Sequence, residues 1–485
     1  LRRFFAKNLL FIIALNALVK PVWIFAIDRT VQNKVGHASY GTYQALINLG
    51  VIMQFVLDFG LNYYNTQMIS RKPESYAVRF PAMLGLRLLL MGLYAAVVLG
   101  IGWMAGYRGD VLGLLCGTLL IQTLTILLLF IRSNVAAFQR FRLDGILSVA
   151  DRMLMILLCG ILLLLPVTRH QFTIGWFVWA QVACYSAAIC LGFYMLWRIT
   201  GVPLRLSFHF RHVGAMLRAS APYALLIFFM SIYMRADIPL IERLHSAQEA
   251  GRYIGASRQL DVCNQFAILF AGILLPLFGR MQAEGQSLAP IVRLSVNLLL
   301  PLSLLASIIA WTAGTGIMHL LYPVANAYDG RLFAWVMSCL PAYSLMYIFS
   351  TLLTANGALT LLNIQAGAAA VLNVVLNCIV VPKYGAEGAA IVACITQWSI
   401  ALSTLFFATR RNALQLYPKW AGSHLAYLIL LGLAGFAANV LFHGAWVYVT
   451  ATLLAAAALL IFVFRFITLA ALRQFLSRRQ AGHHQ

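Results

Sequence analysis

The chain is a succession of continuous apolar runs, each about twenty residues or longer, separated by short clusters of Gly, Pro and charge. A run of about 20 apolar residues makes a helix long enough to cross the roughly 30 Å hydrocarbon core of a bilayer. Strands of a membrane β-barrel would alternate residue by residue in short segments, and these runs do not alternate. The pattern predicts fourteen spans: 8–29, 42–68, 80–106, 111–134, 145–167, 172–198, 216–242, 254–280, 290–322, 329–355, 360–382, 387–409, 421–442 and 445–470. Arg71-Lys72-Pro73, Tyr322-Pro323 and Arg410-Arg411-Asn412 are the sharpest breaks. No connection has the length of a soluble domain. The longest, 199–218, mixes Leu and Phe with Arg and His and reads as an interfacial linker.

Composition supports lipid as the solvent. Of 485 residues 62% are hydrophobic and 10% charged, against roughly 25% charged in a soluble domain. An ordinary soluble enzyme, a secreted disulfide scaffold and a disordered chain are all excluded. The eight cysteines lie in apolar stretches without a CxxC, and read as small buried hydrophobes. His209 and His212 lack a third ligand nearby, so neither metal nor cofactor is expected. Arg2, Arg3 and Lys7 precede an apolar run that Lys20-Pro21 interrupts, so no cleavable leader is expected. Net charge is +22. Sorted by loop, about 20 cations fall on one side and 8 on the other, and the cation-rich side is the cytoplasmic one. Both termini are then cytoplasmic, as an even number of spans requires, in a multi-pass protein of the inner (plasma) membrane.

Two stretches about 210 residues apart look alike. Asp28 near the outer end of span 1 is followed by a polar loop and Gly41-Thr-Tyr43; Asp237 at the end of span 7 is followed by Gly251-Arg-Tyr253. Pro166 and Gln181 in spans 5 and 6 stand at the same interval as Pro382 and Gln397 in spans 11 and 12. Spans 1–6 and 7–12 therefore read as two parallel copies of one six-helix unit. The expected division is 1–205, 206–412 and an extra helix pair with a tail, 413–485. Such repeats are the architecture of alternating-access transporters.

Charges at membrane depth need a cavity, a partner or a function. Arg132, Arg152 and Arg465 stand near the inner ends of their spans, where they can snorkel to the interface. Lys20 is near mid-span, and Pro21 should bend the helix beside it. Arg258 and Asp261 can pair at i,i+3 or face substrate; Arg235 and Asp237, two apart, face different ways. Lys20, Arg235 and Arg258 fall in spans 1, 7 and 8, at the junction of the copies, and suit an anionic ligand such as a diphosphate. Asp58 and Asp237 are the candidate ion-coupling acids, with a helix-end cap or a salt bridge to Arg235 as the structural alternative. No Walker A, HExxH or GxSxG motif is present, so enzymatic chemistry is not expected.

The residues carry a family resemblance. Lys20-Pro-Val-Trp-Ile-Phe-Ala-Ile-Asp28-Arg29, Tyr40-Gly-Thr-Tyr43 and Leu57-Asp58-Phe59-Gly60 resemble the start of polysaccharide (O-antigen type) flippases. Those belong to the multidrug/oligosaccharidyl-lipid/polysaccharide (MOP) exporter superfamily. Asn373, Asn377, Pro382, Tyr384, Gly385 and Gly388 resemble that superfamily's C-terminal signature. The likeness implies an all-α, MATE-like, V-shaped pair of six-helix lobes. It also implies export of an undecaprenyl-diphosphate-linked oligosaccharide, with a polysaccharide polymerase and chain-length machinery as partners and no nucleic acid. Lipid II flippases share the fourteen-span count, and drug exporters share the fold. Gly385 and Gly388 also have a structural reading, as a tight turn followed by close helix packing, and Asn373 and Asn377 as helix-to-helix hydrogen bonders.

Overall fold

A computed structural model describes residues 15–16, 18–19, 21–59, 61, 76–138, 140–165, 168, 170–202, 213–412, 414 and 418–466. Lys20, Pro166, His209 and His212 lie outside the described residues. Every regular element among the described residues is helical. Among the described residues ten helices are long and apolar enough to cross a bilayer, or up to eleven with one bent pair. The expected fourteen also includes spans 1 and 2, which run partly through residues outside the described set.

The chain packs as two units, Leu1–Ile254 and Gly255–Gln485. The first holds α1 (Trp23–Asp28, π-helical), α2 (Arg29–Val35), α3 (His37–Ile52), α4 (Phe55–Asp58), α5 (Tyr76–Met104), α6 (Asp110–Ala137), α7 (Phe141–Leu164), α8 (Ile174–Thr200), α9 (Val213–Arg235) and α10 (Asp237–Leu244). Here α8 packs on α6 and α7, and α3 on α6 and α10. Trp176, Trp179, Tyr194 and Trp197 of α8 are all exposed. Trp176 and Trp197 stand about 31 Å apart at the helical rise, the spacing of the two aromatic belts of a bilayer.

Three expected spans are broken, each for a visible reason. Span 2 breaks at Met53-Gln54. The Tyr94 hydroxyl on α5 donates to the Gly50 carbonyl at 3.0 Å, and the Gln54 N–H turns to Val51 instead. A side chain inserted into the backbone ladder kinks a helix. Span 7 bends by 48° between α9 and α10. Pro239 supplies no N–H to the Arg235 carbonyl, and its ring crowds that carbonyl. Span 10 divides into α13 (Ala327–Met337) and α14 (Leu340–Ala355) ahead of Pro341. The Met337 carbonyl that Pro341 leaves without a donor accepts from Ser307 Oγ at 2.7 Å.

The second unit takes up most of α11 (Ala247–Ala283), then α12 (Ala289–Leu321), α13, α14, α15 (Leu359–Arg411), α16 (Pro418–Leu441) and α17 (Trp446–Val463). At about 80 Å of helical rise, α15 is too long for one crossing. It is two helices across Gly385, whose φ of 54° is open to glycine and strained for other residues. Gln365 Nε2 donates to Ser403 Oγ at 2.6 Å, so the halves lie side by side. The extra pair α16–α17 docks on α12. Leu304, Leu305 and Ile308 meet Tyr427, Leu431, Val449 and Leu453, and Trp420 Nε1 donates to Asn297 Oδ1 at 2.8 Å. In lipid such interlocking and hydrogen bonding hold helices together, because tails are as apolar as leucine.

Candidate functional site

In the first unit, span 1 continues past Pro21 into the π-helical turn α1, and π-turns inside helices mark functional sites often. Asp28 ends that turn and is buried. Tyr40 Oη donates to Asp28 Oδ1 at 2.6 Å, and Gln44 Nε2 donates to Tyr40 Oη at 2.9 Å. Behind them, Gln181 Nε2 on α8 donates to Tyr43 Oη at 2.8 Å. Arg152 on α7 does not snorkel. It lies 3.4 Å from Asp151 and stacks over the rings of Trp23, at 5.3 Å, and Tyr185, at 5.9 Å. Arg132 likewise turns to protein, with Nε 2.8 Å from Asp144 Oδ1. Both arginines had carboxylates within reach, which hold a guanidinium better than partial hydration does.

The repeated Asp and Gly-x-Tyr motifs meet in space. Gly41 on α3 faces the Ala247 carbonyl and the backbone of Gly251, and Gly251 faces the His37 carbonyl so closely that neither position has room for a Cβ. Gln32 Nε2 donates to the Gly251 carbonyl at 2.8 Å and clamps the crossing. Asp237 repeats the local chemistry of Asp28: Tyr253 Oη donates to Asp237 Oδ2 at 2.9 Å. Beside this crossing, Tyr107 in the α5–α6 turn donates to Glu242 Oε2 at 2.8 Å. Arg243 Nε lies 3.0 Å from the same oxygen, and its guanidinium stands 3.4 Å above the Tyr107 ring. The sequence reading missed this trio, because Tyr107 lies 135 residues from Glu242.

Asp58 takes a partner other than the one considered. Arg87 Nη2 is 3.0 Å from Asp58 Oδ1, Arg87 is fully buried, and its guanidinium covers Phe130 at 4.8 Å. Arg235 ends α9 at the bend and is partly buried. Arg258, on α11 within the second unit, is partly buried too. In α15, Asn377 Nδ2 donates to Asn373 Oδ1 at 3.1 Å, one turn back on the same helix. Gly388 packs against Val380 and Tyr384, Pro382 lies inside the helix, and Tyr384 is exposed. The described carboxylates and guanidiniums at depth are joined to one another, to phenols and to aromatic rings.

A family model described as polysaccharide biosynthesis protein matches residues 6–282, more than half of the chain. No curated protein matches by sequence. Among solved structures, the lipid II flippase MurJ in an inward closed conformation is similar at 15% identity and TM-score 0.67, over 95% of this chain and 98% of that one. An inward-facing MATE-family multidrug resistance transporter of the MOP superfamily aligns at 14% identity and TM-score 0.58, over 82% of this chain and 94% of its own. A MOP-superfamily transporter from Pyrococcus furiosus aligns at 14% and 0.53, over 84% and 94%. The chain therefore belongs to the polysaccharide biosynthesis protein family, as a multi-pass membrane protein with the MOP-superfamily transporter fold.

Proposed function

We propose that the protein is a flippase that moves an undecaprenyl-diphosphate-linked oligosaccharide from the inner to the outer leaflet by alternating access. It works as a carrier, with no covalent step. The observation that carries this reading is the disposition of charge at membrane depth. Asp28, Asp58, Asp151 and Asp237, the acids of spans 1, 2, 5 and 7, each have a protein partner, and Lys20, Arg235 and Arg258 place positive charge in spans 1, 7 and 8. Positive charge on these helices suits a diphosphate and repels a cationic drug. Lys20, Arg235 and Arg258 are the proposed diphosphate contacts. Asp58 and Asp237 are the proposed coupling acids; protonating Asp58 would break its ion pair with Arg87, so coupling through it would also loosen span 2. The six-plus-six division, 1–205 and 206–412 with 413–485 added, both termini cytoplasmic in the inner membrane, and a polymerase with chain-length machinery as partners complete the reading.

A second reading rests on the MurJ alignment, which reaches 95% of this chain where the MATE example reaches 82%. On that reading the cargo is a lipid II-type peptidoglycan precursor. Depletion in cells separates the two. Loss of surface polysaccharide with lipid-linked oligosaccharide stranded on the inner leaflet and cell shape intact supports the first. Lysis with stranded peptidoglycan precursor supports the second.

A further inference from the structure

Arg29 is the first residue of α2, directly after the π-helical turn, and is partly buried. Its Nε–H is buried and meets no acceptor among the described residues. The carboxylate beside it in sequence is engaged elsewhere, since Asp28 accepts from Tyr40 at 2.6 Å. A guanidinium stays charged at any physiological pH, and a buried donor left unmade is destabilising. That donor is open to an acceptor from outside the described residues. The π-turn adds to the argument. It shifts the register of everything after it, so the direction of Arg29 is set by an irregular turn rather than by regular helix, and such turns persist where a side chain must be aimed. Guanidinium geometry selects a forked oxyanion, phosphate above all.

We propose that Arg29 is a further anion contact, gripping the phosphate groups of the polyprenyl diphosphate carrier at the end of span 1 that the charge count makes outer. This deepens the flippase reading and rests on it: it adds a contact at the release end of the path. The same oxyanion chemistry is offered by ordinary anionic phospholipids, so the test separates the two sources.

The full chain is reconstituted in nanodiscs of neutral phosphatidylcholine and titrated with undecaprenyl diphosphate, with phosphatidylglycerol as competitor. Arg29→Ala and Arg29→Gln are compared with wild type. Arg108→Ala is the charge control, because Arg108 donates to the Trp103 carbonyl at 2.7 Å in the turn after α5. The expected result is saturable binding by wild type and a loss of about tenfold to a hundredfold in both Arg29 variants. Arg108→Ala should leave binding unchanged, and phosphatidylglycerol should not compete. Equal binding by the Arg29 variants overturns the proposal. So does an equal loss in Arg108→Ala, which would mean a diffuse field, or full competition by phosphatidylglycerol, which would mean a headgroup site. If both Arg29 variants and Arg29→Lys fail to fold while Arg108→Ala folds, Arg29 is structural and the proposal falls. Wild type that binds no undecaprenyl diphosphate defeats the flippase reading itself.

Discussion

A buried ion pair and a glycine contact show what single residues do here. Arg87 is fully buried with Asp58 as its carboxylate partner. Removing one member of such a pair strands the other, at a cost of about 3–5 kcal/mol. Arg87→Ala should therefore lower the thermal unfolding temperature in detergent markedly, and Asp58→Asn with Arg87→Met should recover part of the loss. A full loss in the double variant would show that the cost lies in the lost packing of Arg87 on Phe130 and not in a stranded Asp58. At the crossing of α3 and α11, a methyl on Gly41 or Gly251 would run into opposing backbone, which cannot step aside as a flexible side chain can. Gly41→Ala and Gly251→Ala should each destabilise by about 1–3 kcal/mol or more through overpacking. Denaturation of the two variants checks this, and wild-type stability in either would contradict the close approach. The Gly-x-Tyr repeat was legible in the sequence; that its glycines touch was not, because a motif carries no partner.

Helices were legible to the extent that their causes are local. Continuous apolar runs located the spans, and the break in α15 followed from Pro382 and Gly385. The bend of span 7 had a local signal in Pro239 that the reading passed over, since a span was measured by its apolar length. The break in span 2 had none. It is made by the Tyr94 hydroxyl reaching the Gly50 carbonyl from 44 positions away. Distance in sequence likewise hid the aromatic partners of Arg152 and the reach of Tyr107 to Glu242. That trio ties the α5–α6 turn to the short arm α10. Hydrogen bonds to a charged group are worth about 1.5–3 kcal/mol, so Glu242→Ala should free both ends. Hydrogen exchange should quicken at residues 105–109 and 242–246 with the helix interiors unchanged. Unaltered exchange in those two segments would mean that the trio is not what holds them.

For the whole molecule, orientation and cargo remain to be measured. Reporter fusions placed after Arg410 and after Gln485 should both report the cytoplasm, because the cation-rich loops set the orientation. A periplasmic signal from either would contradict the fourteen-span account. The central claim is transfer of a lipid diphosphate carrying sugar. The most direct measurement places the purified protein in vesicles loaded on one leaflet with an undecaprenyl-diphosphate-linked oligosaccharide and follows its exposure to a membrane-impermeant glycan-oxidising reagent. Wild type should expose the lipid-linked sugar far faster than protein-free vesicles, and Lys20→Ala, Arg235→Ala and Arg258→Ala variants that remain folded should slow exposure whatever sugar is attached. Exposure no faster than in protein-free vesicles, or undiminished transfer by all three folded variants, would contradict the account.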